Sequence, residues 1–330
     1  MEQNKTKNAS SQGKIGDFLK EYGSIIGILA LLLIFHAFDH RFLRPANIWG
    51  VLKSSAFLIM MSLSMTLVMS VRGIDFSIAQ VADAAAVISA YLILHDTDPM
   101  LALVIAIGFG LLVGIVNAFL MAYLGVPALI GTLGMMFIIR SFELLITNGA
   151  QPQVLFTLSR KVTGKFLDIG QGSVGVVPNV MVISICVVII IYLIKERSVI
   201  GRHMDSINGH VQTSFLAGIN IRRTFASVFV ISSVLAAIAG VLICARAGSA
   251  TPRATESYLN DCFVSVYIGT LLSKRRKFNV IGTVIGCLFV GFISNFFTLM
   301  NLGNGIKQLC NGAFIILAVV LGAVSARKKD

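Results

Sequence analysis

Residues Lys195–Arg223, KERSVIGRHMDSINGHVQTSFLAGINIRR, form the longest polar, charge-bearing interruption in a chain that is otherwise largely apolar. Val180–Ile194 (VMVISICVVIIIYLI) precedes it, and Thr224–Cys244 follows it without one charged residue. Neither flank has a polar face, so neither is an ordinary amphipathic helix and both read as membrane spans. The interruption must therefore emerge into water on one side. It carries five Lys or Arg against one Glu and one Asp, and that excess assigns the side as cytoplasmic. A short helix is predicted inside it, with Asn208 as its cap, Val211, Phe215 and Leu216 on one face, and Gly218 as its stop. Two readings stay open: an ordinary solvated loop, or a docking element whose apolar stripe is held at the inner surface by two spans.

Composition agrees with the flanks. Of 330 residues, 56% are hydrophobic and 13% charged, about half the charge of a soluble domain. Alternating strands of the barrel type are absent, so the expected class is all-α and polytopic. A net charge of +12 would suggest nucleic acid in a soluble chain. Here the basic residues cluster at the ends of apolar runs, where topology accounts for them, and no nucleic-acid partner is expected. Cys186, Cys244, Cys262, Cys287 and Cys310 lie in apolar segments without paired spacing. They read as reduced, buried, small side chains and not as a disulfide frame or a metal site.

A span needs about 20 apolar residues. Counting along the chain gives about ten transmembrane helices, or eight to ten because the first (near 23–38) and the eighth (261–272) are short. Residues 1–22 read as a cytoplasmic tail without a signal-peptide pattern. Residues 23–325 read as one transmembrane domain, and 326–330 as a second cytoplasmic tail. Within that domain 195–223 is the cytoplasmic loop, and 148–178, rich in Gly and Pro, is an external loop by alternation. Residues 246–260 form a further outer connection, and the short eighth segment is expected to be re-entrant or tilted. The basic run Ser273–Lys277 (SKRRK) lies inside. His36 and His40 stand four apart but lack a third ligand, so no metal is expected there.

Polar residues at membrane depth are few. In Val71–Gln80 (VRGIDFSIAQ) the apolar pattern breaks without a proper loop. That break is either a discontinuous helix of the kind transporters use for their sites, or a tight cytoplasmic turn with Arg72 and Asp75 in solvent. Asp83 falls inside the next span and needs a wet cavity or a partner. Gly110, Gly114, Ala118 and Ala122 form a small-residue stripe, repeated by Ala236, Gly240, Cys244 and Gly248, and such stripes let helices approach closely. Arg140 and Glu143, three apart, are expected to pair on one face. Asp75, Asn117, Thr132 and Asn295 are the candidates for a solute pathway. No GxxxxGK[ST], HExxH, CxxC or GxSxG occurs, so no catalytic residue and no cofactor is expected and any ATP hydrolysis falls to another chain.

Several blocks then point one way. Met65-Thr66-Leu67-Val68 with Gly73-Ile74-Asp75-Phe76-Ser77, Thr132-Leu133-Gly134 with Arg140 and Thr147-Asn148-Gly149, and Gly201-Arg202-His203 with Leu216-Ala217-Gly218-Ile219-Asn220 follow in order. Gly248-Ser249-Ala250, Pro252, Tyr258, Asp261 and Gly282-Thr283 complete the series. From about Asn47 to Val324 the chain resembles the permease subunits of ribose-type ABC importers, which serve simple sugars and a related autoinducer furanose. It departs from them in 269–278, where the glycine-rich turn is missing, and in 208–212, which lacks the usual acidic residue.

The resemblance implies a bacterial inner-membrane permease that works as a homodimer or heterodimer. Its partners would be two cytoplasmic ABC ATPase subunits and an external sugar-binding protein. Asn208, Val211, Phe215, Leu216 and Gly218 would then form the ATPase-coupling element. Two alternatives remain: an ion-gradient carrier using Asp75 or Asp83, or a non-transporting membrane partner with the same fold.

Overall fold

A computed structural model describes residue 27, residues 30–273 and residues 277–327. The tail expected over 1–22, the start of the first span, the centre of the basic run (274–276) and the last three residues lie outside the described residues. After a helical stretch α1 over residues 30–38 come α2 (Pro45–Met69), α3 (Ile78–Leu94), α4 (Pro99–Ala118) and α5 (Ala128–Ile146). They are followed by α6 (Arg160–Gln171), α7 (Asn179–Tyr192), α8 (Val199–Gly209), α9 (Val211–Leu216) and α10 (Ile221–Ala247). The chain closes with α11 (Glu256–Leu271), α12 (Val280–Leu299) and α13 (Asn304–Arg327). Single π-helical turns extend α4 over Phe119–Tyr123 and α7 over Leu193–Arg197.

Six helical segments among the described residues are long and apolar enough to cross a membrane: those beginning at Pro45, Pro99, Ala128, Asn179, Ile221 and Val280. α3 is also apolar but shorter. Their ends are built from local chemistry. Proline stands in the first turn of α2 and of α4, where its missing N–H costs nothing. Asp98 Oδ1 accepts from the amides of Met100 and Leu101 at 2.9 and 3.1 Å. Asn220 and Asn279 accept in the same way from Arg223 (3.0 Å) and Gly282 (2.6 Å), so both helices that leave the basic connections are capped.

α2, α3 and α10 form the centre. α2 and α10 are buried over most of their length, whereas α4, α5 and α7 expose large apolar side chains such as Val104, Leu112, Ile138, Leu145 and Ile189. An apolar outer face of that extent suits lipid and not water. Glycine sets the central spacing. A Cβ on Gly240 of α10 would lie 1.8 Å from the Ala82 carbonyl oxygen of α3, and one on Gly110 of α4 would lie 2.4 Å from the Ala237 Cβ. The small stripes thus pack α4 and α3 against α10. Gly248 is a different case. It is the left-handed cap of α10 at φ +68°, the conformation glycine adopts without a steric penalty.

Several expectations need correction. Residues 148–178 contain the amphipathic helix α6, which buries Phe166 and Leu167, and a hairpin of β2 (Ser173–Val174) with β3 (Val177–Pro178). Ahead of α6, β1 (Gln153–Val154) pairs antiparallel with β4 (Ser249–Ala250), so these two connections form one structure. α11 starts at Glu256, inside the stretch expected to be a loop, and Thr255 Oγ1 donates to the Ala79 carbonyl at 2.7 Å. Arg140 turns to Glu256, at 3.5 Å, because the early start of α11 brings a second carboxylate within reach. Cys186 is exposed on the outer apolar face and Cys310 half-buried, although all five cysteines are free.

Candidate coupling surface and buried polar turn

The 195–223 stretch folds as two helices. Ser198 Oγ caps α8 by accepting from the Gly201 amide at 3.2 Å. Gly201 also permits a tight fold-back, since a Cβ there would lie 1.9 Å from the Lys195 carbonyl oxygen. α8 ends at Gly209, and His210 turns extended at φ −144°, ψ 111° before α9 begins. Asn208 is therefore the penultimate residue of α8 and not the cap of α9. The cap position belongs to His210, whose side chain makes no capping bond. Gly218 ends the element at φ +79°, and its amide bonds the Phe215 carbonyl.

The apolar face is real and uncovered. Phe215 is 70% and Leu216 85% exposed, and Val211 stands beside them. Behind that face α9 is anchored at one residue. Ser214 is buried, and its hydroxyl lies 2.7 Å from that of Ser206 on α8. The element is pinned behind by Ser214 and apolar in front.

Five charged residues that sequence reasoning did not assign to this site hold it to the membrane helices. Arg72, in the turn between α2 and α3, donates from Nε to the Asn208 carbonyl (2.8 Å) and from Nη2 to the Gly209 carbonyl (2.7 Å). Asp205 of α8 pairs with Lys195 and, at 3.2 Å, with Lys277 just ahead of α12. Glu196 accepts from the Val280 amide, the first of α12, at 3.3 Å. The sequence signal for these contacts is only that charges stand at helix ends. Apart from Lys195 and Asp205, which stand ten residues apart, the partners lie 72 to 137 residues away.

Three of the four pathway candidates meet at the same turn. Asp75, fully buried, accepts from the Ser77 amide (2.8 Å) and hydroxyl (2.6 Å). Asn117 Nδ2 donates to that hydroxyl oxygen at 3.0 Å. Thr132 Oγ1 accepts from the Phe76 amide at 3.1 Å. Asp75 Oδ2 and Asn117 Oδ1 are left without partners, an arrangement that costs free energy in a dry interior. The turn thus combines the two readings left open by the sequence: Arg72 is exposed and faces the 195–223 stretch, while Asp75 is buried behind it. Asn295 lies elsewhere, in a reciprocal amide pair with Asn47 at 2.7 and 2.9 Å. Asp83 faces the backbone of residues 253–255. Among the described residues no cluster of metal-ligating side chains occurs.

A family described as the permease component of the branched-chain amino acid transport system matches residues 47–323. The chain belongs to that family. The permease is 28% identical to the ribose import permease protein RbsC of Haemophilus influenzae, over 98% of its own length and 99% of the relative's. It is 28% identical to the D-allose transport system permease protein AlsC of Escherichia coli over 92% of each chain. Identity to the L-arabinose permease protein AraH of Azospirillum brasilense is 23%, over 94% and 90% of the two chains. No solved structure matches it. With its apolar helices, the permease is a multi-pass protein of the bacterial inner membrane, of the ribose-type ABC importer group.

Proposed function

We propose that this permease carries a small neutral sugar, of pentose or hexose size, across the inner membrane by alternating access, powered by separate ATPase subunits. The observation that carries the reading is the α9 face, with Phe215 and Leu216 exposed on an element that Arg72 and Asp205 tie to α2 and α12. An apolar face with a rigid back needs a groove to hide in. A push on it reaches helices through polar contacts that cannot stretch far, which is how ATPase closure would tilt the spans.

The sugar assignment is supported by the relatives, whose names specify ribose, D-allose and L-arabinose. Ten crossings with both termini cytoplasmic agree with the way the connections fall into two groups. The 70–77, 195–223 and 277–279 segments touch one another, and the 148–178 and 248–255 segments touch one another. We place 195–223 inside and 148–178 outside, the latter facing an external sugar-binding protein, with residues 1–22 and 326–330 as inner tails. Two permease subunits, alike or different, complete the assembly. Asp75, Asn117 and Thr132 are assigned to the inner end of the pathway and Asn295 to its outer half.

The test is uptake of labelled D-ribose into inverted or right-side-out vesicles containing the permease with its co-purifying ATPase and binding protein. Uptake that requires ATP supports the reading. Uptake by the permease alone, driven by an ion gradient and indifferent to ATP, overturns it.

A further inference from the structure

The half of the bundle farthest from α9 contains a polar cavity of about 250 Å³ between α2, α11, α12 and α13. Its position follows from the contacts already described. The turn that follows α2 reaches the 195–223 stretch through Arg72, and α2 itself reaches the cavity through Ser54 and Ser55. α12 starts against Glu196 and reaches the cavity through Ser294, Asn295 and Thr298.

Three features set this space apart from a packing defect. Defects in apolar cores are lined by hydrocarbon and stay dry, whereas this one is lined by hydroxyls and an amide. Its one carboxylate, Asp261, is neutralised within the wall: Lys307 Nζ bonds Oδ2 at 2.9 Å and Asn311 Nδ2 bonds Oδ1 at 2.6 Å. The lining therefore offers hydrogen bonds without net charge. Finally, Ser55, 1% exposed, has a hydroxyl with no partner. Gly291 leaves room for that hydroxyl, since a Cβ there would lie 2.3 Å from Ser55 Oγ. A buried hydroxyl without a partner, on the wall of a polar cavity, is a group waiting for an occupant.

We infer that this cavity is an outer binding station for one uncharged polyhydroxylated molecule, with Ser55 and Asn295 as hydrogen-bonding groups and Asp261–Lys307 as a neutral wall. A space of about 250 Å³ is large enough for several waters or a single small polyol. Anions and cations would each meet an ion pair already closed on itself, with no unpaired opposite charge in the wall to offset their loss of water. Multiple hydroxyls can donate to and accept from Ser and Asn alike. The inference rests on the importer reading for its choice of sugar and goes beyond it in assigning the place.

Cysteine protection tests it. The full-length permease, with its five native cysteines replaced by Ala or Ser, carries Thr298→Cys or, separately, Ser257→Cys, both exposed positions at the cavity. A control carries Val176→Cys at the exposed hairpin tip. In permeabilised membranes a small methanethiosulfonate reagent is applied with and without D-ribose, or with gluconate, an anion of similar size. The expected result is that D-ribose slows modification of both cavity cysteines several-fold and saturably, that gluconate does not, and that the control is unaffected. Adding Ser55→Leu, which fills the space, should abolish the protection. Protection by neither compound, or equally by both, overturns the inference. ATP-dependent D-ribose uptake measured alongside separates the two ideas: uptake without protection sinks the cavity alone, whereas absence of ATP-dependent uptake sinks the importer reading.

Discussion

The guanidinium of Arg72 spans two successive carbonyls, those of Asn208 and Gly209, at 2.8 and 2.7 Å. It thereby joins the turn below α3 to the base on which α9 stands. Arg72 itself sits at φ +61°, a left-handed conformation that non-glycine residues adopt rarely. The backbone is held in an unfavourable state while the side chain makes two charge-assisted bonds. Since the groups are exposed, each bond contributes little to stability, about 1 kcal/mol or less. Its value lies in direction.

Replacing Arg72 by Ala should therefore leave the amount of folded protein nearly unchanged and lower the sugar carried per ATP hydrolysed. Arg72→Lys should recover part of the loss, because an ammonium is a point donor without a planar fork to meet two acceptors at once. The stoichiometry in proteoliposomes is the measurement. An unchanged ratio in Arg72→Ala would show that the turn does not transmit motion.

Phe215→Asp acts on the front of the same element. The side chain is mostly exposed, so the substitution should cost the isolated permease almost no stability. A buried aromatic anchor in an interface contributes about 2 kcal/mol or more, equivalent to roughly thirtyfold in affinity. Affinity purification from membranes should thus recover much less ATPase with this variant. Normal recovery together with normal uptake would exclude α9 as the seat of the ATPase.

Much of this fold is legible in the residues because the bilayer imposes a length on each apolar run. The spans at 48–70, 100–123, 128–147 and 280–300 all reappear within a few residues as helices. Asp75, Asn117 and Thr132 stood out singly as polar residues in apolar runs, but that three elements bring them to one turn was not legible. Nor were the other contacts decided at long range. Asn208 has the composition of a cap, but α8 continues past it and the break falls at His210, whose extended backbone local propensity does not foretell. Arg140 and Glu143 have helical spacing, yet the nearer partner for Arg140 comes from Glu256, more than a hundred residues on. α6 was hidden by the glycines and charges around it, and its buried Phe166 and Leu167 acquire meaning only when α10 and α7 lie alongside.

Close packing at the centre gives a stability prediction with an internal control. Gly240→Val requires a Cβ where the Ala82 carbonyl oxygen stands, and neither backbone can yield without parting α3 from α10. The cost should be at least that of ordinary overpacking, about 1–3 kcal/mol, with a lowered thermal midpoint in detergent or failure to accumulate. Gly50→Ala in α2 meets nothing within 4 Å and should be neutral or stabilising by up to about 1 kcal/mol. Equal behaviour of the two variants would contradict the packing described.

The Lys195–Asp205–Lys277 cluster gives the last prediction. Lys195 is buried at the end of α7, with Asp205 as its counter-charge, while Lys277 reaches the same carboxylate from the α12 side. Removing the shared anion by Asp205→Ala strands a buried ammonium, and breaking a buried pair from one side costs about 3–5 kcal/mol. Lys195→Met removes the buried charge instead and leaves Asp205 with Lys277, so it should cost clearly less. The double variant Lys195→Met/Asp205→Ala should then be more stable than Asp205→Ala alone, a rescue that simple loss of contacts cannot produce. Thermal unfolding of the three variants in detergent supplies the comparison. Additive losses in the double variant would mean that the pair is not coupled and that α8 is held to α7 by packing alone.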